Sequence, residues 1–224
     1  MEGVYERMIL HKETILKNLS PAESHEDVLS ADDIEKIWKM AFSGGQVRKN
    51  MSGNMFVTGN VVNDAYNLIK DKILVRGKLY GGNYFIACNP YGPHMDSFAK
   101  KDESEDGTTV YKNVIVPLWI GGSSFGDHVI FYNQRLIDYG SAFGGKAEYR
   151  KERKHQLYTD YSALQFYNAN GQPMEKASEF TIEKKIEWKP KDIMVFDSVQ
   201  VHKSIKTQWT NKMGLLLKFK VEHE

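Results

Sequence analysis

A histidine and a carboxylate two residues apart can close on one cation, because alternate residues of an extended strand point to the same side. The sequence holds three such triplets: His11-Lys12-Glu13, His25-Glu26-Asp27 and His94-Met95-Asp96. With 7 His and 29 Asp+Glu in 224 residues, chance supplies about one, so context must choose among them. Only His94 and Asp96 follow a strand-like run, Tyr84 to Cys88, through the turn-rich Asn89-Pro90-Tyr91-Gly92-Pro93. The other two lie among helix-like or loop residues and read as solvated polar surface. A third ligand must come from a distant strand. His202 is the better candidate, since it follows Ile193-Met194-Val195-Phe196-Asp197 by a short connection and precedes another apolar strand; His128, at the start of a strand, is its rival. The one cysteine, Cys88, excludes thiolate-rich zinc and iron–sulfur sites, so a metal here takes imidazole and carboxylate.

Two imidazoles and one carboxylate on one face of an octahedron leave open positions, the arrangement that non-haem Fe(II) oxygenases use. A dicarboxylate cosubstrate that chelates the metal at one end needs its other carboxylate neutralised in a dry pocket. Lys212, at the start of the strand from Met213 to Phe219, is placed to do this.

The elements that must position these groups follow from patterning. Ser30-Ala31-Asp32-Asp33, then Ile34, Ile37, Trp38 and Ala41, gives an N-cap, an acidic first turn and apolar residues at helical spacing, closed by Gly44-Gly45; the expectation is a helix over 31–43. A weaker helical pattern runs over 61–74. From Lys78 onward the period is that of strands, with Tyr84-Phe85-Ile86, Val114-Ile115-Val116, Val129 to Tyr132, Ile193 to Phe196 and Leu215-Leu216-Leu217 separated by Gly, Pro, Asn and Asp. Helices first and short strands after suggest a mainly β, α+β chain: an antiparallel barrel or sandwich with helices on one face. One domain over 1–224 is the simplest organisation, with a helical part over about 1–76, a barrel over about 78–221 and an insertion over about 134–178. Gly140, Gly144 and Gly145 offer flexible joints within that insertion, and its stretch from about Ser141 to Tyr167 is expected to be a flap over the metal that contacts the primary substrate. On the last strand, Leu215, Leu217, Phe219 and Val221 alternate toward the helices, leaving Lys212 and Leu216 for the interior; Lys218 and Lys220 fall on the same side as Lys212, so the strand is expected to have left the barrel by then.

The 30 Lys+Arg against 29 Asp+Glu leave a formal charge of +1, so no global field draws the chain to nucleic acid or to an acidic membrane. The basic run Arg150-Lys151-Glu152-Arg153-Lys154-His155 carries interleaved acid and reads as a solvated face rather than a phosphate-backbone site. No stretch approaches the length of a membrane span, and Met1 to Lys17 has no apolar signal core, so a cytoplasmic protein is expected.

The segment from Tyr84 to Ser97, with its His94-Met95-Asp96, resembles the first metal-binding strand of the 2-oxoglutarate and Fe(II)-dependent dioxygenases, and within them the prolyl-4-hydroxylase-like branch. Lys189 to Ser198, then His202, then Lys212-Met213-Gly214-Leu215, resembles the second half of the same site. The resemblance covers the helix at 31–43, about 80–132 and 186–221. It implies a double-stranded β-helix, a jelly-roll or cupin-like barrel with N-terminal helices on the major sheet. It implies His94, Asp96 and His202 as iron ligands and Lys212 as the residue holding the distal carboxylate of 2-oxoglutarate. Tyr84 and Asn89 become candidates for touching the same cosubstrate. The implied cofactors are Fe(II), 2-oxoglutarate and O2, with ascorbate as a candidate reductant. The implied reaction hydroxylates an unactivated carbon, a prolyl residue in a peptide or protein, with release of succinate and CO2; a small-molecule hydroxylase or a catalytically inactive ligand-binding barrel are the alternatives. Two departures stand out. Lys191 occupies a turn position where the family favours glycine, and Gly214 replaces a small hydroxyl residue that often follows the basic one.

Overall fold

The computed structural model describes residues 15–49, 53–88, 91–96, 110–121, 127–137, 141–143, 156–158, 164–175, 179–205 and 211–221, together with Glu13. Its strands are β1 (Glu23–His25), β2 (Gln46–Lys49), β3 (Met55–Thr58), β4 (Lys78–Ala87), β5 (Tyr91–His94), β6 (Val110–Gly121), β7 (His128–Arg135), β8 (Ser141–Phe143), β9 (Gln156–Tyr158), β10 (Ile182–Glu187), β11 (Ile193–Asp197), β12 (Gln200–Ser204) and β13 (Asn211–Val221). Among the described residues, the ten-residue helices α1 (Ala31–Met40) and α2 (Asn60–Ile69) come before the long strands. A seven-stranded sheet runs in the order β1-β11-β6-β13-β4-β3-β2, and a six-stranded sheet in the order β10-β7-β12-β5-β8-β9. Among the described residues every strand pairing is antiparallel except β8 with β9.

The helix α1 starts where the sequence says it should. Ser30 Oγ accepts from the Asp33 amide at 3.1 Å and Asp33 Oδ2 accepts from the Ser30 amide at 2.7 Å, a reciprocal capping box. Lys72 also pairs with Asp33, and these donors hold its carboxyl down at about 2. The helix ends at Met40 rather than Ser43: the Phe42 and Ser43 amides donate to Lys39 and Met40 carbonyls in a tighter turn, and Gly44 follows at φ 134°.

Strand parity then divides the interior into two layers. Met213, Leu215, Leu217 and Phe219 of β13 pack with Ile37 of α1 and with Val61, Ala65 and Ile69 of α2. Burying each such side chain stabilises the fold by about 1.5–3 kcal/mol, so the helices are fixed to the larger sheet by its outer face. The opposite parity faces the smaller sheet. Leu216, with Ile115, Phe131, Met194, Phe196 and Trp188, fills the space between the two sheets.

One expectation is corrected. Lys218 has not left the interior: it shares the face of Lys212 and Leu216, and its Nζ donates to the Asp96 carbonyl at 3.3 Å. The strand continues in register beyond it, pairing Lys218 with Asn113 and Lys220 with Tyr111. Much of the expected flap, 144–155 and 159–163, lies outside the described residues of the insertion. Its described parts belong to the framework, since β8 extends the smaller sheet through the pair His94 with Ala142, β9 lies beside β8, and Tyr167 exchanges two backbone hydrogen bonds with Arg135. Phe166 is buried against Ile130 and Tyr132. The basic run at 150–155 lies outside the described residues.

Candidate metal centre

The strand β12 lies between β5 and β7, and His202 pairs with His94 on one side and with Phe131 on the other. Direct cross-strand partners put their side chains on one face of the sheet. The two imidazole rings are accordingly 4.3 Å apart between centroids. Asp96 lies just past β5, where its amide donates to the Ser198 carbonyl at 3.1 Å and ties this turn to the one between β11 and β12. One carboxylate oxygen is 3.7 Å from His94 Nε2 and the other 3.7 Å from His202 Nε2. Among the described residues these three form the one group of histidines and acids able to hold a metal, all ligand atoms lying within 4.8 Å of one another. His128 and the pair His25 with Asp27 are not in it. His25 instead contacts Glu23 at 3.3 Å on the edge strand β1.

The donor chemistry suits a divalent cation. His94 Nδ1 is 2.8 Å from the Gly92 carbonyl and His202 Nδ1 is 3.0 Å from the Gln200 carbonyl. A carbonyl oxygen only accepts, so each Nδ1 carries the hydrogen and each Nε2 presents its lone pair toward Asp96. His202 is further fixed by Phe196 against its edge and Phe131 stacked beside it, at 4.8 and 6.0 Å.

Two residues support Asp96: Asn113, which patterning did not single out, and Lys218, which was expected outside the barrel. Asn113 of β6 is fully buried and its Nδ2 donates to Asp96 Oδ2 at 3.3 Å, while its Oδ1 has no partner. Lys218 holds the Asp96 backbone, and burial pushes its ammonium down to about 8 against the pull of the Asp96 carboxylate. The signal for both was parity: each is a polar residue at a strand position that points between the sheets.

Lys212 is fully buried at the start of β13, on the same interior face. Its Nζ donates to the Ile205 carbonyl at 3.0 Å and lies over the Trp188 ring at 4.7 Å from the centroid. Arg135, the other cation deep in the fold, is committed elsewhere: it bonds Asp197, Glu183 and the Ser20 carbonyl, a network that Lys112 completes through Asp197. Tyr84 does not serve this site. It has the parity of Leu215, packs in the helix-facing layer, and its hydroxyl reaches toward the Val61 carbonyl at 3.5 Å; burial there pushes its phenol up. The neighbours of Tyr84 that share the interior parity are Asn83 and Phe85. Asn89 lies outside the described residues.

No family profile and no curated protein matches the sequence. Solved structures do match in three dimensions. The 2-oxoglutarate-dependent epimerase SnoN from nogalamycin biosynthesis superposes at a TM-score of 0.53 with 9% identity, over 96% of this chain and 84% of its own. The two share one fold. Similar to it as well are the carbocyclase SnoK from the same biosynthesis, at a TM-score of 0.51 with 8% identity over 93% and 83% of the two chains, and HygX from Streptomyces hygroscopicus, at 0.50 with 10% identity over 91% and 84%. The HygX structure holds nickel and 2-oxoglutarate. In this sandwich the turn before β11 carries Lys191 at φ 81°, the left-handed conformation that glycine takes without strain. The turn is secured from outside, by the Leu29 amide on the Lys191 carbonyl and the Asp27 amide on Asp192.

Proposed function

We propose that this chain is an Fe(II)- and 2-oxoglutarate-dependent dioxygenase that hydroxylates an unactivated carbon, a prolyl residue in a peptide or protein. The observation that carries the reading is the convergence of His94, Asp96 and His202 on the interior face that also buries Lys212. The sandwich then corresponds to a double-stranded β-helix, with the two histidines on its smaller sheet and the lysine on its larger one.

Bound Fe(II) and 2-oxoglutarate would supply the oxidising chemistry, with O2 as oxidant and succinate and CO2 as coproducts. The chain's own part is to bind and orient. His94 and His202 present Nε2 and keep Nδ1 on backbone carbonyls, so neither ring can turn its hydrogen toward the metal. Asp96 supplies the single negative charge, and Asn113 fixes which way the carboxylate faces. Lys212 offers a cation to the distal carboxylate from a position where water is absent and a charge pair is correspondingly strong. Phe131, Phe196 and Leu216 keep the space between the two ends apolar. No side chain needs to act as acid or base.

The test is product analysis. Purified protein with Fe(II), 2-oxoglutarate and a library of proline-containing peptides should form succinate and add one oxygen to a subset of the peptides at proline. Succinate formed with oxygen placed only on added small molecules would move the substrate to the small-molecule class. Absence of any Fe(II)-dependent 2-oxoglutarate consumption would remove the oxygenase reading.

A further inference from the structure

Aromatic side chains, Phe131, Phe196 and Trp188 with Phe85, pack in the layer between the two sheets, and one of them stands in a particular relation to the Lys212 cation. Trp188 directly follows β10 and is buried. It is pinned at both ends: its backbone amide donates to the Asp127 carbonyl at 2.8 Å and its Nε1 donates to the Trp119 carbonyl at 3.2 Å. Phe85 meets it edge to face, 5.8 Å between centroids at 69°. Over its face lies Lys212 Nζ, at 4.7 Å, with the Ile205 carbonyl as a further partner. The ring quadrupole attracts an ammonium in this position, so the cation is held in place before any carboxylate arrives.

Gly214 is what makes room for that wall. It shares the interior parity of Lys212 and Leu216, and a Cβ there would lie 2.7 Å from Trp188 Cη2 and 2.8 Å from Phe85 Cζ. Those distances are closer than atoms approach without something shifting. The volume that a side chain at 214 would occupy is filled instead by the indole and the phenyl ring.

We propose that Trp188 is the specificity-determining wall of the cosubstrate pocket: with Gly214 it sets the depth at which Lys212 holds a distal carboxylate, and it thereby selects a five-carbon 2-oxo diacid over its six-carbon homologue. The inference rests on the reading that this site binds 2-oxoglutarate. A rigid ring against the ammonium leaves no slack for a longer acid, because the lysine would have to draw back into the ring and give up its place on the Ile205 carbonyl to make room. A flexible aliphatic side chain at 188 would let it do so.

Calorimetric titration of the full chain loaded with Mn(II), which binds imidazole and carboxylate without oxygen chemistry, tests this directly with 2-oxoglutarate and 2-oxoadipate as probes. The wild-type protein should bind 2-oxoglutarate at least about tenfold more tightly than 2-oxoadipate. Trp188→Leu should weaken 2-oxoglutarate by about tenfold, the scale of a desolvated cation–π contact, and bring the two affinities together. Gly214→Ala should also weaken 2-oxoglutarate by displacing the ring, whereas adding Gly214→Ala to Trp188→Leu should cost nothing more. Mn(II) affinity reports the ligand set separately and should be the same in all four proteins. An unchanged preference in Trp188→Leu with Mn(II) binding intact overturns the inference. If Trp188→Leu fails to fold, Gly214→Ala decides, and an unchanged preference there overturns it equally. A wild-type protein that binds Mn(II) and neither diacid overturns the cosubstrate reading itself.

Discussion

His94 and His202 are direct partners across the β5–β12 pair, and their rings sit 4.3 Å apart with both Nδ1 atoms turned back to carbonyls two residues earlier in their own strands. Register alone therefore brings two ligands together that are separated by more than a hundred residues of chain. Asp96 then completes the group from the turn that follows β5.

Replacing His94, Asp96 or His202 by Ala should abolish metal binding while leaving the fold largely intact, because each removes one of only three protein ligands. His25→Ala and Asp27→Ala should be near silent, within about 0.5 kcal/mol in stability and without effect on the metal. Titration of each variant with Mn(II), followed by thermal unfolding, reads both. Loss of metal in either decoy would show that the wrong triplet has been chosen.

Asn113→Leu should lower metal affinity by about 10–100-fold, the usual effect of removing a hydrogen bond that orients a ligand. Lys218→Met should act in the same direction, through the Asp96 backbone. Equilibrium dialysis with Mn(II) measures both, and unchanged affinity in Asn113→Leu would mean that the contact to Asp96 does not orient it.

How much of this was legible in the chain depends on parity. His94, Asp96 and His202 could be chosen because the strands around them are written in alternating apolar residues, and the same alternation put Lys212 inside and Leu215 under the helices. Tyr84 was misplaced for want of the register: its strand is rich in aromatics on both faces, and only the pairing of Tyr84 with Leu215 shows that it faces the helices. Lys218 was misread for the opposite reason. Its parity pointed inward, but a buried lysine looked too costly without the Asp96 contacts that offset it, and those depend on a turn far away in sequence. The capping box of α1 was local and therefore readable; the Arg135–Asp197–Glu183 network joins three strands and was not.

Lys212→Ala should raise the 2-oxoglutarate concentration needed for half-saturation by one to three orders of magnitude, since truncating one partner of a buried charge pair costs about 2–5 kcal/mol. Lys212→Arg should keep part of the function, because the charge survives in a longer, planar group. Cosubstrate titration of turnover or of binding checks this. Arg135 cannot substitute, being held by Asp197 and Glu183.

Asp33 should make stability depend on acid pH. Its folded-state pKa is depressed from 3.8 to about 2, so its contribution is fully present above about 3.8 and is lost as pH falls from there toward 2. Asp33→Asn should cost about 1–2 kcal/mol at neutral pH, less than the whole shift implies because the partner Lys72 is 40% exposed and solvent screens the pair. The difference from wild type in urea unfolding should shrink as pH drops below 3.8; a difference that stays constant down to pH 2 would assign the cost to something other than this carboxylate.

The central claim is that His94, Asp96 and His202 hold an Fe(II) that 2-oxoglutarate chelates while Lys212 takes its far end. Anaerobic addition of Fe(II) and 2-oxoglutarate to the purified protein, read by visible absorption, tests it most directly. The account predicts a weak visible charge-transfer band of the chelate that needs both additions, is missing in His202→Ala, and in Lys212→Ala appears only at much higher 2-oxoglutarate. No band in the wild-type protein at saturating Fe(II) and 2-oxoglutarate, or a band that survives His202→Ala unchanged, would contradict it.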